Sequence, residues 1–434
     1  MISRSRGAAR RTRPWAAAAL AVSCWLASSP APLAGDWPQF RGPGRDGVSP
    51  DKGLLDIWPE DGPKLLWTAT GLGRGYASVS VVGGAIYTTG EANGKQFLVA
   101  LAMQPDGPPT LAWKTELGEA GDVGYPGSRS TPTVDADRLY ATTTAGKIVC
   151  LDRTSGAISW SRSLVDDFGG RMMSGWGFSE SPLVDGERVV ATPGADSAAL
   201  VALDKKRGGE IWRAAVPDAR GAAYASVVVG NPAGLRQYVT LLGRGAVGVA
   251  ANDGRLLWTY DRIANGTANI PSPIVHGDYV FTSTGYGAGA ALLRIRRDGR
   301  GCKAEEAYFL DGKTFQNHHG GMILLGDYLY AGTGHNNGFP VCLEFKSGRI
   351  AWRRPRGPGE RSAAVAYADG HLYFRYENGL MALIEASPKG YRLKGTFEIP
   401  DVQDPSWSHP AIVDGVLYLR EQDRLYAYDC RRNG

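Results

Sequence analysis

Short runs of alternating apolar and polar residues, broken by two-residue glycine turns, recur along the whole chain. SPLVDGERVV (181–190), SPIVHGDYVF (272–281), MILLGDYLY (322–330), VAYADGHLYF (365–374) and AIVDGVLYL (411–419) share one pattern. Each reads as a strand, a tight turn, and a second strand ending in an apolar–aromatic pair. A period of two places the apolar side chains on one face of the strand, and Asp-Gly or Gly-Gly supplies the turn chemistry of a hairpin. Eight such hairpins can be counted, starting with VSVVGGAIY (79–87). No long amphipathic helix is expected beyond the first 34 residues.

A second signal runs in phase with the first. LDRTSGAISW (151–160) has counterparts in ALDKKRGGEIW (202–212), AANDGRLLW (250–258) and LEFKSGRIAW (343–352). Gly156, Gly208, Gly254 and Gly348 each stand four residues before Trp160, Trp212, Trp258 and Trp352. Asp152, Asp204 and Glu344 stand four residues before their glycines. An acidic side chain can bond the turn backbone, and glycine supplies the positive φ needed there. The same aromatic position is marked by Trp67, Trp113, Tyr308 and Phe397, so eight positions follow one another at steps of 44 to 52 residues. That period is the length of one four-stranded propeller blade.

The sequence therefore predicts an all-β, eight-bladed β-propeller over residues 63–430. Its last unit, 411–429, lacks an outer Trp strand of its own, and KLLWTAT (64–70) is expected to supply it and close the ring. Trp67, Trp113, Trp160, Trp212, Trp258 and Trp352 are read as structural docking groups packed between blades. Composition agrees: 59 Gly, 12 Trp and 19 Tyr suit many short strands joined by tight turns.

Residues 1–34 read as an export signal. Arg4, Arg6, Arg10, Arg11 and Arg13 precede the short apolar core Trp15 to Ala27, and small residues and prolines follow. That core is shorter than the roughly 20 residues a membrane helix needs. The mature chain is thus expected to be exported to the periplasm or cell envelope without a transmembrane span. Cys24 is the one candidate for a lipid anchor, on a weak match. Removing the signal lowers Lys+Arg from 48 to 43, equal to the 43 acids, so the basic balance gives no support for nucleic-acid binding. Residues 35–62 form a lead-in segment. Cys150, Cys302, Cys342 and Cys430 are too scattered for a metal motif, and their spacing selects no disulfide pairing.

With these motifs, residues 63–429 resemble the PQQ-binding-like β-propeller repeat family, whose tryptophan-docking motif is similar to LDRTSGAISW and LEFKSGRIAW. The opening DWPQFRGPGRDGVS (36–49) also looks like the lead-in of secreted bacterial members. The resemblance implies two functional branches. Quinoprotein dehydrogenases hold pyrroloquinoline quinone and Ca²⁺ at the propeller axis. The other branch contains an outer-membrane assembly lipoprotein without a cofactor. This sequence lacks the adjacent cysteine pair of the enzymes, and their Ca²⁺-ligand and catalytic Asp pattern falls on no named residues.

The loops leading into the innermost strands are expected to converge at the channel mouth. They carry Arg74, Tyr76, Arg129, Trp176, Glu180, Tyr224, Asn269, His318, His319, Arg361, Trp407 and His409, the candidate ligand-binding residues. Aromatics with Arg and His suit a flat or anionic ligand, or a peptide segment. No metal site is expected, because neighbours on a strand point opposite ways and His318 and His319 would be kept apart; a set of either with His409 and Glu180 is the alternative. GHNNGFP (334–340) reads as a structural turn. The expectation is an exported, non-catalytic propeller that binds a protein or cell-envelope component through its funnel face. A PQQ- and Ca²⁺-dependent oxidoreductase is the alternative, and no catalytic residue is named.

Overall fold

The computed structural model describes residues 1–3, 35–403 and 405–432. The export signal, Cys24 included, lies outside the described residues. Eight antiparallel four-stranded sheets follow one another, spanning 80–119, 133–163, 183–214, 228–260, 274–310, 322–353 and 363–398, with the last built from 411–429. The eighth sheet takes its outer strand from Lys64–Ala69, which pairs antiparallel with Arg424–Asp429. The ring closes as the sequence predicts, and both ends of the propeller chain share one blade. Pro232–Gly234 forms one 3₁₀ turn, and no helix of the described residues is long and apolar enough to cross a membrane.

The turn motif behaves as its chemistry requires. The Asp152 carboxylate accepts from the Thr154 and Ser155 backbone N–H groups, and Asp204 accepts from those of Lys206 and Arg207. Gly156, Gly208 and Gly254 have φ of 72°, 70° and 72°. Each glycine also lies under the aromatic ring of the preceding blade. A Cβ on Gly208 would come within 2.6 Å of Trp160, and one on Gly254 within 2.5 Å of Trp212. The indole N–H of Trp160 donates to the Lys205 carbonyl at 3.0 Å, and that of Trp212 to the Ala251 carbonyl at 3.2 Å. At the weaker position Tyr308 does the same through its hydroxyl, to the Phe345 carbonyl. Apolar clusters fill the spaces between blades, such as Tyr140, Cys150, Trp160, Val189 and Leu203. Cys150, Cys302, Cys342 and Cys430 are buried free thiols.

The lead-in runs into the central channel. Trp37 pairs with Val81 on the first inner strand, and the Pro38 carbonyl accepts from Val134 on the second. The chain then turns back through Arg41, Gly42, Arg45 and Gly47, all at positive φ. It leaves beside Tyr367 and Ile412 on the seventh and eighth inner strands. Asp36 and Asp51 bond the turn glycines Gly83 and Gly415 at one end of the inner hairpins, so the loop enters and leaves by that end. Two arginines pin its tip. Arg41 donates to the carbonyls of Asp46 and Met322, and Arg45 donates to Gln39 Oε1 and to the carbonyls of Ser181 and Pro182. Burial pushes both guanidinium groups down to about 10.

Candidate functional site

Two residues before the inner strand, five successive blades place a hydroxyl: Ser78, Thr131, Ser181, Ser226 and Ser272. Three of these hydroxyls accept the backbone N–H of the preceding member, Thr131 from Ser78, Ser181 from Thr131 and Ser226 from Ser181. They form a belt around the channel. Counted back from the hairpin turn, the corresponding residues of the next blades are Gly321, Ala364 and His409. A Cβ on Gly321 would come within 3.0 Å of Arg41 and 2.9 Å of His409. The small residues make room for the lead-in tip exactly where the hydroxyl belt stops.

Above that tip the channel opens into a cavity of about 360 Å³. Phe40, Arg41 and Gly321 line it together with loop residues from around the ring. With the lead-in across one end of the channel, the cavity is a cup rather than a through-pore. An arc of rings forms its wall. Tyr286 meets His335 at 4.4 Å between centroids, His335 meets His318 at 4.6 Å, and His318 stacks on His319 at 3.9 Å. His319 meets Trp407 at 4.7 Å, and Trp407 meets Tyr76 at 4.7 Å and Tyr125 at 4.9 Å. Trp176 and Tyr224 add a further pair. Arg129 lies over the Tyr76 ring at 5.2 Å and donates to the Tyr125 carbonyl.

The charges are few and well placed. Arg361 is exposed, has no ion pair among the described residues, and holds a φ of 62° that a non-glycine residue seldom adopts. Glu377 is the cup's one carboxylate. Burial pushes it up, but the hydrogen bond to His319 outweighs this and holds it below the usual range. Burial, with His319 and His335 alongside, pushes His318 down to about 2. Burial and the nearby Arg41 push His409 down to about 3. Both imidazoles are therefore neutral, and the cup's cationic character comes from its arginines.

Tyr76, Arg129, Trp176, Tyr224, His318, His319, Arg361, Trp407 and His409 line the cup together. Three candidates do not. Glu180 is buried beside Arg45, where it accepts from the Thr192 N–H and burial pushes it up to about 7. Asn269 is engaged with the Leu242 carbonyl and with Asn265. Arg74 is tied by its backbone to Glu91 in the first blade. The expected separation of His318 and His319 also fails, because they lie in a bend rather than a strand and their rings stack. GHNNGFP contributes His335 and Asn336 to the lining and is more than a turn. Tyr125, Tyr286 and Glu377 were not anticipated.

Calcium does not fit this lining. Ca²⁺ takes about six to eight oxygen ligands, whereas the cup offers one carboxylate already bonded to an imidazole.

No curated protein sequence matches the chain. Solved structures resemble it at low identity. BamB from Moraxella catarrhalis is 12% identical with a TM-score of 0.59, over 86% of this chain and 98% of that one. The quinohemoprotein alcohol dehydrogenase from Comamonas testosteroni is 12% identical with a TM-score of 0.66, over 93% and 82%. A europium-containing methanol dehydrogenase is 12% identical with a TM-score of 0.61, over 89% of each chain. At these identities the likeness speaks to the fold alone. The profile of the family described as outer membrane protein assembly factor BamB matches residues 97–354. With that match over more than half of its length, the chain belongs to this family.

Proposed function

We propose that this protein is an exported, non-catalytic propeller that binds a protein segment or other cell-envelope component through its funnel face. The observation that carries this reading is the closed cup, walled by aromatic rings and edged by Arg129 and Arg361. Such a surface takes a flat apolar group that carries a negative charge, for instance an aromatic side chain beside an acidic one. The repeated outer-strand aromatics are read as docking groups of the scaffold, since Trp113, Trp160, Trp212, Tyr308 and Trp352 bond carbonyls of the next blade. Membership in a family described by outer-membrane assembly supports the partner class.

A photo-reactive amino acid at Tyr125, a cup-lining residue that is 42% exposed, tests the reading in cells. The expected result is one discrete adduct that disappears when Trp407→Ala is added. An unchanged adduct pattern with Trp407→Ala would remove the funnel from the account.

The oxidoreductase reading draws on the dehydrogenase folds and on the cup's suitability for a flat anion. Titration with pyrroloquinoline quinone and Ca²⁺, followed by Trp fluorescence, separates the two. Saturable, Ca²⁺-dependent binding would favour the enzyme, and its absence is expected here.

A further inference from the structure

The histidine cluster has a hydrogen-bond order that leaves one nitrogen unused. The Ser362 hydroxyl lies 2.8 Å from His318 Nδ1 and 3.5 Å from Asn336 Oδ1, so a hydroxyl proton turned to Asn336 leaves its oxygen to accept from Nδ1. In that tautomer Nε2 of His318 carries a lone pair. It is buried and has no partner among the described residues, on a residue only 7% exposed. Native proteins seldom leave a buried acceptor in that state. His335 is differently occupied: its Nδ1 accepts the Tyr286 N–H, which places its proton on Nε2. His319 Nδ1 lies 3.2 Å from Glu377 Oε1. That separation is close to the edge of a coordination tetrahedron with bonds of about 2.0–2.1 Å. One ligand atom each from His318, His319 and Glu377 lies within 4.8 Å of the others.

We propose that His318, His319 and Glu377 bind a single divalent transition-metal ion of the Zn²⁺ class, with the remaining coordination position facing the cup. Two imidazoles and one carboxylate select a borderline ion over Ca²⁺ or Mg²⁺. Ser362 holds Nδ1 of His318, the kind of bond that orients a metal-binding imidazole. The His318 and His319 rings stack at 3.9 Å in the unloaded protein, so binding requires at least one of them to rotate toward the cup. The fourth position falls to water or to an anionic group of whatever enters the funnel. The site does not depend on the identity of that guest.

The test uses the purified chain, freed of metal by a chelator and titrated with Zn²⁺ alone, with Co²⁺ as the spectroscopic probe. One equivalent bound at micromolar or tighter affinity is expected, with Co²⁺ bands of a four- or five-coordinate site. His318→Ala and His319→Ala should abolish this binding, and Glu377→Gln, which removes the ligand charge, should weaken it. His276→Ala, which removes an exposed histidine far along the chain, should leave it unchanged. Because His318 is buried, X-ray absorption on the unsubstituted Zn²⁺-loaded protein gives a second readout: two imidazole nitrogens and carboxylate oxygen at about 2.0–2.1 Å. No binding by the unsubstituted protein, binding that survives His318→Ala or His319→Ala, or a shell without imidazole would each overturn the proposal.

Discussion

The rim and the axis of this propeller are built on different rules from the same blades. At the rim, one arrangement repeats: an aromatic ring lies on the next blade's turn glycine and bonds a turn carbonyl, as Trp160 does with Gly208 and Lys205. At the axis the repeat runs through five blades and then breaks. Five blades present a hydroxyl, the next two present Gly321 and Ala364, and the last presents His409. A lead-in loop fills the gap from one end, and eight unlike loops build the cup at the other. Repetition makes a rigid ring, and its break at the axis makes a site. Substitutions at the rim should therefore change stability, and substitutions in the cup should change binding.

The largest effect should come from Trp160→Ala. It removes a buried ring and its inter-blade hydrogen bond, and should cost about 3–5 kcal/mol in chemical unfolding. Trp176→Ala removes the same side chain from the cup wall and should stay within about 0.5 kcal/mol of the parent. Equal losses would break the comparison. Arg45→Ala should cost about 3 kcal/mol, since three hydrogen bonds from a buried cation are lost at the plug.

Acid should weaken the axis rather than the rim. His318 and His409 titrate near 2 and 3 in the folded protein, against about 6.5 unfolded. Below pH ~6.5 the unfolded chain binds more protons, so their contribution is lost as pH falls toward the folded values. Glu180, raised to about 7, acts in the opposite sense: its folded form holds the extra proton between about 4.5 and 7. These three groups together give a net loss of about 1.4 kcal/mol per pH unit between roughly 6.5 and 4.5. Glu180→Gln should steepen that slope in urea unfolding measured across the window. The smallest effect belongs to Arg361→Gly. It relieves a positive φ and should raise stability by up to about 1 kcal/mol while weakening capture at the funnel.

What could be read from the chain follows the same division. Trp160, Gly208 and their counterparts announce the rim because each copy repeats the same turn chemistry, and Trp67 announces the closing strand by its place in the series. The cup was legible only as loops rich in aromatic, Arg and His residues. Glu180 and Asn269 share those loops with true lining residues, and their side chains turn away to satisfy buried backbone groups. Glu377 follows the second strand of its blade, and Tyr286 and His335 come from turns, so a search confined to the inner loops passes over them. The contact of Arg41 with Met322 joins residues 281 apart and leaves no local periodicity. The one available signal is the run Ser78, Thr131, Ser181, Ser226 and Ser272, whose interruption at Gly321 marks where another segment must fit.

The most direct test compares photo-crosslinking from the cup and from the rim in the same cells. Tyr125 marks the cup, and Ile158, an exposed outer-strand residue, marks the rim. A discrete adduct from position 125 that is absent from position 158 and lost with Trp407→Ala is the predicted result. The same adducts from both positions, or none from position 125, would contradict the claim that the funnel is where this protein meets its partner.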